Sequence, residues 1–382
     1  MKTLILHYSS LENQDLSYQH GWVKGFEFNT DFNCTFVNLA DFYYAKKDIL
    51  NFSKLKNLRA LKELILKKYE VIIILHSAFS NSCFLPGSIQ NIISLKKSYK
   101  IHFMANEYKW MPEKMKLVKK LKINLLVTQS HNIDVIKLYK NKLKIEVIHI
   151  PGGGLDEEIF YPMNLDRDIL IGYRTYQEPE YLGHQKRVIL HNFLKEYSKK
   201  NNDTYDVSIM AKDRFNFKDW AIFLNRCKSL PSTITGTDFF YLDDKIRKQV
   251  NKYYDNYQTP ISLKFNKFDS TYKKKFNIIY EKFFKNLTTG TKWRALTGKV
   301  IEAMGTKTIN ILVDGDYGPL LKPDEHYIPL KKNFSNFEEC IEKVKDKNYF
   351  YKITENSYKL SREKLTFTKY IDDLYKNILK LI

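Results

Sequence analysis

Four cysteines, Cys34, Cys83, Cys227 and Cys340, are scattered over 382 residues, and none shares the short spacing of a zinc site or a disulfide framework. That scarcity excludes a cystine-stapled scaffold and fits a reducing cytoplasm. No apolar run reaches membrane-spanning length, and Met1-Lys2-Thr3-Leu4-Ile5-Leu6-His7 turns polar too soon for a secretory leader, so a cytoplasmic protein is expected. The glycine run Gly152-Gly153-Gly154 is not followed by the lysine and hydroxyl of a phosphate-binding P-loop. Asp243-Asp244 lacks the flanks of a metal-binding Asp-x-Asp motif, and no metal or other cofactor is expected. No known DNA or RNA motif appears and aromatics do not interleave with basic residues, which disfavours a nucleic-acid partner.

Hydrophobic residues at 43% and aromatics at 15% are ample for buried cores, and a chain of this length is expected to divide into two domains. The net charge is +20, with 23 Lys and Arg against 12 Asp and Glu in residues 1–150 and 40 against 31 in 151–382. Such a field suits phosphorylated substrates, anionic membrane surfaces or nucleic acid; the Lys-, Asn- and Tyr-rich composition of an AT-rich genome accounts for it equally well.

In residues 1–150, strand-like runs (Thr3–Leu6, Thr35–Leu39, Val71–Leu75, Ile101–Met104, Asn124–Thr128, Glu146–Ile150) alternate with charged amphipathic stretches such as Lys54–Lys68 and Lys114–Lys122. This is the pattern of a doubly wound parallel sheet, whose function lies in the loops after the strands. Those loops place His7, His20, His76 and Glu107 as candidates for a catalytic base or acceptor contact, each weighed against an ordinary hydrogen-bonded loop residue. The basic helix Lys114–Lys122, with Met115, Val118 and Leu121 on one side, reads as a surface helix whose apolar stripe faces the sheet, with contact to an anionic membrane as the alternative. Pro151-Gly152-Gly153-Gly154 marks the domain boundary.

The pattern then restarts: strand Asp168–Ile171, the loop Gly172-Tyr173-Arg174, a helix His184–Tyr197, strand Val207–Ile209, a helix Lys218–Cys227 and strand Ser229–Ile234. Thr235-Gly236-Thr237-Asp238 reads as a turn, and Thr288-Thr289-Gly290-Thr291-Lys292 as a loop whose hydroxyls and amides suit phosphate or sugar. Next, Val300, Ile301, Ala303 and Met304 flank Glu302 in a short helical pattern that breaks at Gly305-Thr306 and resumes as the strand Ile309–Val313. A carboxylate beside a strand end is a natural acceptor for the paired hydroxyls of a ribose, and Lys299, one turn earlier, suits a phosphate. Three helices are expected in the tail: Phe337–Val344, Asn348–Leu365 and Tyr370–Leu381.

Glu302-Ala303-Met304-Gly305-Thr306 resembles the Glu-Ala-Met-Ala-Cys-Gly-Thr block of two-domain, group 1 nucleotide-sugar glycosyltransferases. Gly315-Asp316-Tyr317-Gly318 and the segment His326–Asn336 are similar to a subfamily met in bacterial surface-polysaccharide clusters. The likeness covers most of residues 167–360. Two departures stand out: the two residues usual between Met304 and Gly305 are missing, and Arg294 takes the place, eight before Glu302, where much of the superfamily has a second glutamate. The resemblance implies a GT-B type fold, two Rossmann-like α/β domains facing a cleft. It implies an acceptor domain (1–150), a nucleotide-sugar domain (151–366) and a last helix (367–382) that returns to the first. It further implies transfer of a hexosyl or pentosyl group from a UDP-, GDP- or dTDP-linked donor to a saccharide or lipid-linked acceptor. Arg174 would serve the departing diphosphate, while Glu302, Lys299, Tyr173, Gly236, Thr237, Thr289, Gly290, Thr291, Gly305 and Thr306 would line the donor site. Glycosylation of DNA, or binding of nucleic acid or nucleotide sugar without catalysis, are the competing readings.

Overall fold

The computed structural model describes residues 1–9, 17–41, 43–44, 47–50, 55–79, 85–201, 203–255, 270–287 and 290–382. The chain divides into two compact units: unit 1, Met1–Gly152 with Phe367–Ile382, and unit 2, Gly153–Thr366.

Unit 1 is built on six parallel strands: β1 (Lys2–His7), β2 (Asn33–Asn38), β3 (Val71–Ile74), β4 (Tyr99–Phe103), β5 (Leu125–Thr128) and β6 (Glu146–His149). Their order is β2-β1-β3-β4-β5-β6, so the direction of winding reverses beside β1. The central strands are buried on both faces, as helices on either side of a parallel sheet require; all of Val71–Ile74 and Leu125–Thr128 is buried. The helix Met111–Leu121 buries Met115, Val118 and Leu121, and also Lys114, whose ammonium donates to the carbonyls of Ala105 and Asn106 in the loop after β4.

His20-Gly21-Trp22 lies within the helix Ser17–Phe28, and not in a loop as the sequence suggests. The glycines, poor helix formers in isolation, are required by packing: a Cβ at Gly21 would stand 2.1 Å from Phe367 of the last helix, Phe367–Leu379. Trp22, fully buried, meets Phe367 edge-on and stacks on Tyr370. The last helix thus completes the core of unit 1.

Unit 2 has five parallel strands: β7 (Ile169–Arg174), β8 (Tyr205–Ser208), β9 (Cys227–Ser232), β12 (Ile309–Val313) and β13 (Ile328–Leu330); β10 (Thr235–Phe240) and β11 (Thr291–Ala295) form a separate antiparallel pair. The order β8-β7-β9-β12-β13 again reverses beside its first strand. Gly172-Tyr173-Arg174 belongs to β7 itself, and Thr235–Asp238 to β10, correcting two expected loops. In β10, Gly236 has φ +136° and passes so close to β11 that a Cβ would stand 1.9 Å from the Trp293 carbonyl oxygen. Among the described residues no helix is long and apolar enough to cross a membrane.

Candidate functional site

The carboxyl edge of the unit 2 sheet, beside the reversal between β7 and β9, gathers the chemistry. Three segments meet this edge: the loop 175–185 leaving β7, the end of β9 at Ser232, and the N-terminus of the helix Gly298–Gly305, which leads into β12. The loop is longer than the roughly two to six residues usual for a strand-to-helix link. It ends at Gln185, the cap residue of the helix Lys186–Ser198, so that helix also begins here. Exposed amides and the positive ends of helix dipoles favour anions at such a place.

Lys299, in the first turn of the helix Gly298–Gly305, holds its ammonium 5.5 Å from the centre of the Tyr173 ring. Burial, reinforced by the Arg187 charge, lowers its pKa to about 7, against the opposing pull of Glu178 and Glu302. Glu302 is 6% exposed; its Oε2 accepts from Trp220 Nε1 at 2.8 Å. Its other oxygen faces back toward the helix start, where a Cβ on Gly298 would lie 3.6 Å away. Arg187 donates to Thr235 Oγ1 at 2.8 Å and lies over the Tyr176 ring, while Tyr173, wholly buried, donates its hydroxyl to the Arg187 carbonyl. Tyr173, Lys299 and Glu302 are therefore brought together.

Arg174, one residue on, turns elsewhere. Its guanidinium pairs with Asp206, donates to the Asp206 carbonyl at 2.9 Å and lies over Phe215 and Phe223. Gly236 offers its carbonyl to His184 Nε2 at 2.7 Å, and Thr237, buried, donates to the Leu182 carbonyl, so β10 supports the loop that carries the polar groups. Arg294 is committed to Asp238 and to the Thr237 carbonyl. Gly290 lies beside the Tyr241 ring and Thr291 begins β11, opposite Phe240; Thr289 lies outside the described residues. Gly305 and Thr306 are at the far end of their helix, where Gly305 packs on Leu155 and the Thr306 hydroxyl bonds the Ala303 carbonyl.

Sequence reasoning missed the feature that unites this edge. Gln177 Oε1, Glu178 Oε2, His184 Nδ1, Gln185 Nε2, Ser232 Oγ and Thr297 Oγ1 are buried and have no hydrogen-bond partner among the described residues. Native proteins leave few such groups, and six in three adjoining segments single this edge out as the candidate for a polar ligand. The unusual length of the loop 175–185 was the available signal.

In unit 1 His7 and His20 are neighbours, while His76 and Glu107 are buried among other partners. Burial, with the neighbouring His20, lowers the His7 pKa to about 4, and burial with His102 lowers His76 to about 3, so both imidazoles are neutral. His20 is half-buried on its helix. Glu107 is completely buried, and both its oxygens are engaged: Oε1 by the Gln129 amide at 2.7 Å, Oε2 by Thr128 Oγ1 and the Tyr139 hydroxyl at 2.6 and 2.8 Å. Among the described residues no three His, Cys, Asp or Glu side chains gather as metal ligands.

No family model matches the sequence, and no curated protein is similar to it. Solved structures are similar in fold. Sucrose-phosphate synthase from Thermosynechococcus elongatus, at 11% identity, aligns over 100% of both chains with a TM-score of 0.51. The DNA-modifying enzyme β-glucosyltransferase, studied with and without uridine diphosphoglucose, aligns over 98% of this chain and 99% of its own at 11% identity and a TM-score of 0.54. T4 phage BGT bound to UDP-glucose, also at 11% identity, covers 100% and 99% with a TM-score of 0.50. This chain has the fold of those glycosyltransferase structures: two parallel-sheet, Rossmann-like α/β domains of the GT-B type.

Proposed function

We propose that the chain is a glycosyltransferase that binds a nucleoside diphosphate sugar in unit 2 and passes the sugar to a saccharide or lipid-linked acceptor bound by unit 1, in the synthesis of a surface glycan. The observation that carries this reading is the set of buried, unpartnered polar atoms around Lys299 and Glu302 at the carboxyl edge of the second sheet. Glu302, held by Trp220, accepts the ribose hydroxyls. Lys299, Arg187 and two helix N-termini meet the diphosphate, and their fixed positive charge grows in value as the nucleoside diphosphate departs. Arg174, engaged with Asp206, adds positive charge beside the site. UDP is the first nucleotide to test, since the structurally similar β-glucosyltransferase is described with uridine diphosphoglucose.

Transfer to DNA is the second reading, favoured by the +20 charge and by that likeness to a DNA-modifying enzyme. Exposed lysines at helix ends of unit 1, among them Lys119 and Lys120, are available to duplex phosphates or to an anionic membrane. A thermal-shift screen of UDP, GDP and dTDP with their sugar conjugates tests the donor reading; a ligand at a hundredfold its Kd adds about 2.7 kcal/mol. Donor hydrolysis separates an enzyme from a non-catalytic binder. Salt-sensitive duplex binding together with sugar transfer to DNA would establish the second reading.

A further inference from the structure

Cations and helix N-termini address phosphate, but Glu178 addresses something else. Its side chain is 1% exposed at the middle of the loop 175–185. Oε1 accepts from the Arg187 amide at 2.6 Å, capping the helix Lys186–Ser198, and His184 Nδ1 stands 3.5 Å away. Oε2 has no hydrogen bond among the described residues. One residue earlier Gln177 Oε1, another acceptor, is in the same condition, and Gln185 Nε2, a donor, closes the loop.

A desolvated carboxylate oxygen demands a donor. A phosphate cannot supply one, since it brings only acceptors and negative charge. An alcohol can: its hydroxyl donates to the carboxylate while its lone pairs accept from an amide, the complement of an acceptor and a donor left side by side. Glu178 holds the Arg187 amide, the Arg187 carbonyl accepts from the Tyr173 hydroxyl, and the Lys299 ammonium lies over the Tyr173 ring, so Glu178 belongs to the same site.

On the donor-site reading above, we infer that Glu178 is the acceptor for hydroxyls of the transferred sugar, flanked by Gln177 and Gln185, and that it makes the site discriminate a nucleotide sugar from the bare nucleotide. The competing structural role is that of a helix cap paired with Lys299. Glu178→Gln separates the two, because the amide oxygen keeps the cap and the size while the charged acceptor is lost. Calorimetry on the full chain would compare UDP, GDP and dTDP, each with its glucose conjugate, using whichever pair the unaltered protein binds. The expected result is a loss of about tenfold or more for the sugar conjugate with the bare nucleotide changed less than about twofold. Gln177→Ala, which leaves the cap untouched, should shift the same ratio in the same direction by a smaller factor. Equal loss for both ligands, or no change in either, overturns the inference. Absence of binding of every nucleotide by the unaltered protein overturns instead the donor-site reading on which it rests.

Discussion

The two sheets reverse beside their first strand in the same way, yet they differ in how the charged groups at their carboxyl edges are satisfied. In unit 1, Glu107 is saturated by Thr128, Gln129 and Tyr139, and Lys114 by two carbonyls. Unpartnered atoms there include Glu113 Oε2 and the Tyr370 hydroxyl beside ring nitrogens such as His102 Nε2 and His149 Nε2, whose imidazoles burial keeps neutral, with pKa values of about 4. In unit 2 a carboxylate, two carboxamides and two hydroxyls are left open around a desolvated lysine. A satisfied network holds a fold rigid, whereas an open one stores binding capacity at the expense of stability. The first edge satisfies Glu107 and Lys114 from within; the second leaves Gln177, Glu178 and Gln185 open as candidates for a ligand.

The largest test removes the last helix. Deleting residues 367–382 strips Phe367, Tyr370, Ile371, Leu374 and Ile378 from the core of unit 1, and each such loss costs about 2–5 kcal/mol, together more than a domain's stability. Calorimetry should lose the unit 1 transition, while nucleotide affinity persists. Glu107→Ala comes next: three donors, two of them buried, lose their acceptor, and unit 1 should be destabilised by about 3–5 kcal/mol with nucleotide affinity unaltered. A change in affinity with no change in melting would reverse the comparison and return Glu107 to the list of ligand contacts.

Glu302→Gln should do the converse. Loss of a charge-assisted acceptor of about 1.5–3 kcal/mol weakens donor binding about tenfold to a hundredfold, while melting without ligand hardly moves. If melting falls and affinity holds, Glu302 only braces Trp220.

The smallest effect is a pH dependence. With a folded pKa of about 7 against the ordinary lysine value of 10.5, Lys299 sheds its proton in the folded protein first. Between those values the unfolded chain binds more protons, so this residue makes stability rise with pH across that window; below about 7 both states are charged and its burial penalty is constant. Diphosphate needs the charged form, so affinity should fall as pH rises through about 7, and Lys299→Met should flatten the profile. A slope that survives in the variant places the titration elsewhere.

The strands of the parallel sheets were legible because buried parallel strands read as short apolar runs, and β3 and β5 begin where the sequence places them, within a residue. β10 and β11 were not, since Thr-Gly-Thr-Asp has the composition of a turn and its partner lies nearly sixty residues away, beyond any local signal. The placement of Glu302 and Lys299 on a short helix leading into a strand was legible from the apolar pattern around them. Glu107 was given a role because it follows a strand, and only the satisfaction of both oxygens tells a structural carboxylate from a reactive one. Glu178 was invisible for the mirror reason: no motif surrounds it, and its distinction is a hydrogen bond that is not made.

That the helix Phe367–Leu379 belongs to unit 1 also sets an order of events on the ribosome. The first unit to be translated cannot be the first completed. Its Trp22 and the glycine face of the helix Ser17–Phe28 wait for partners that emerge only after all of unit 2, a delay on the order of ten seconds or more at ordinary elongation rates. For that interval Trp22 and the glycine face lack the cover of the last helix, so the demand for a chaperone falls on the N-terminal half, and slowing elongation should lengthen it.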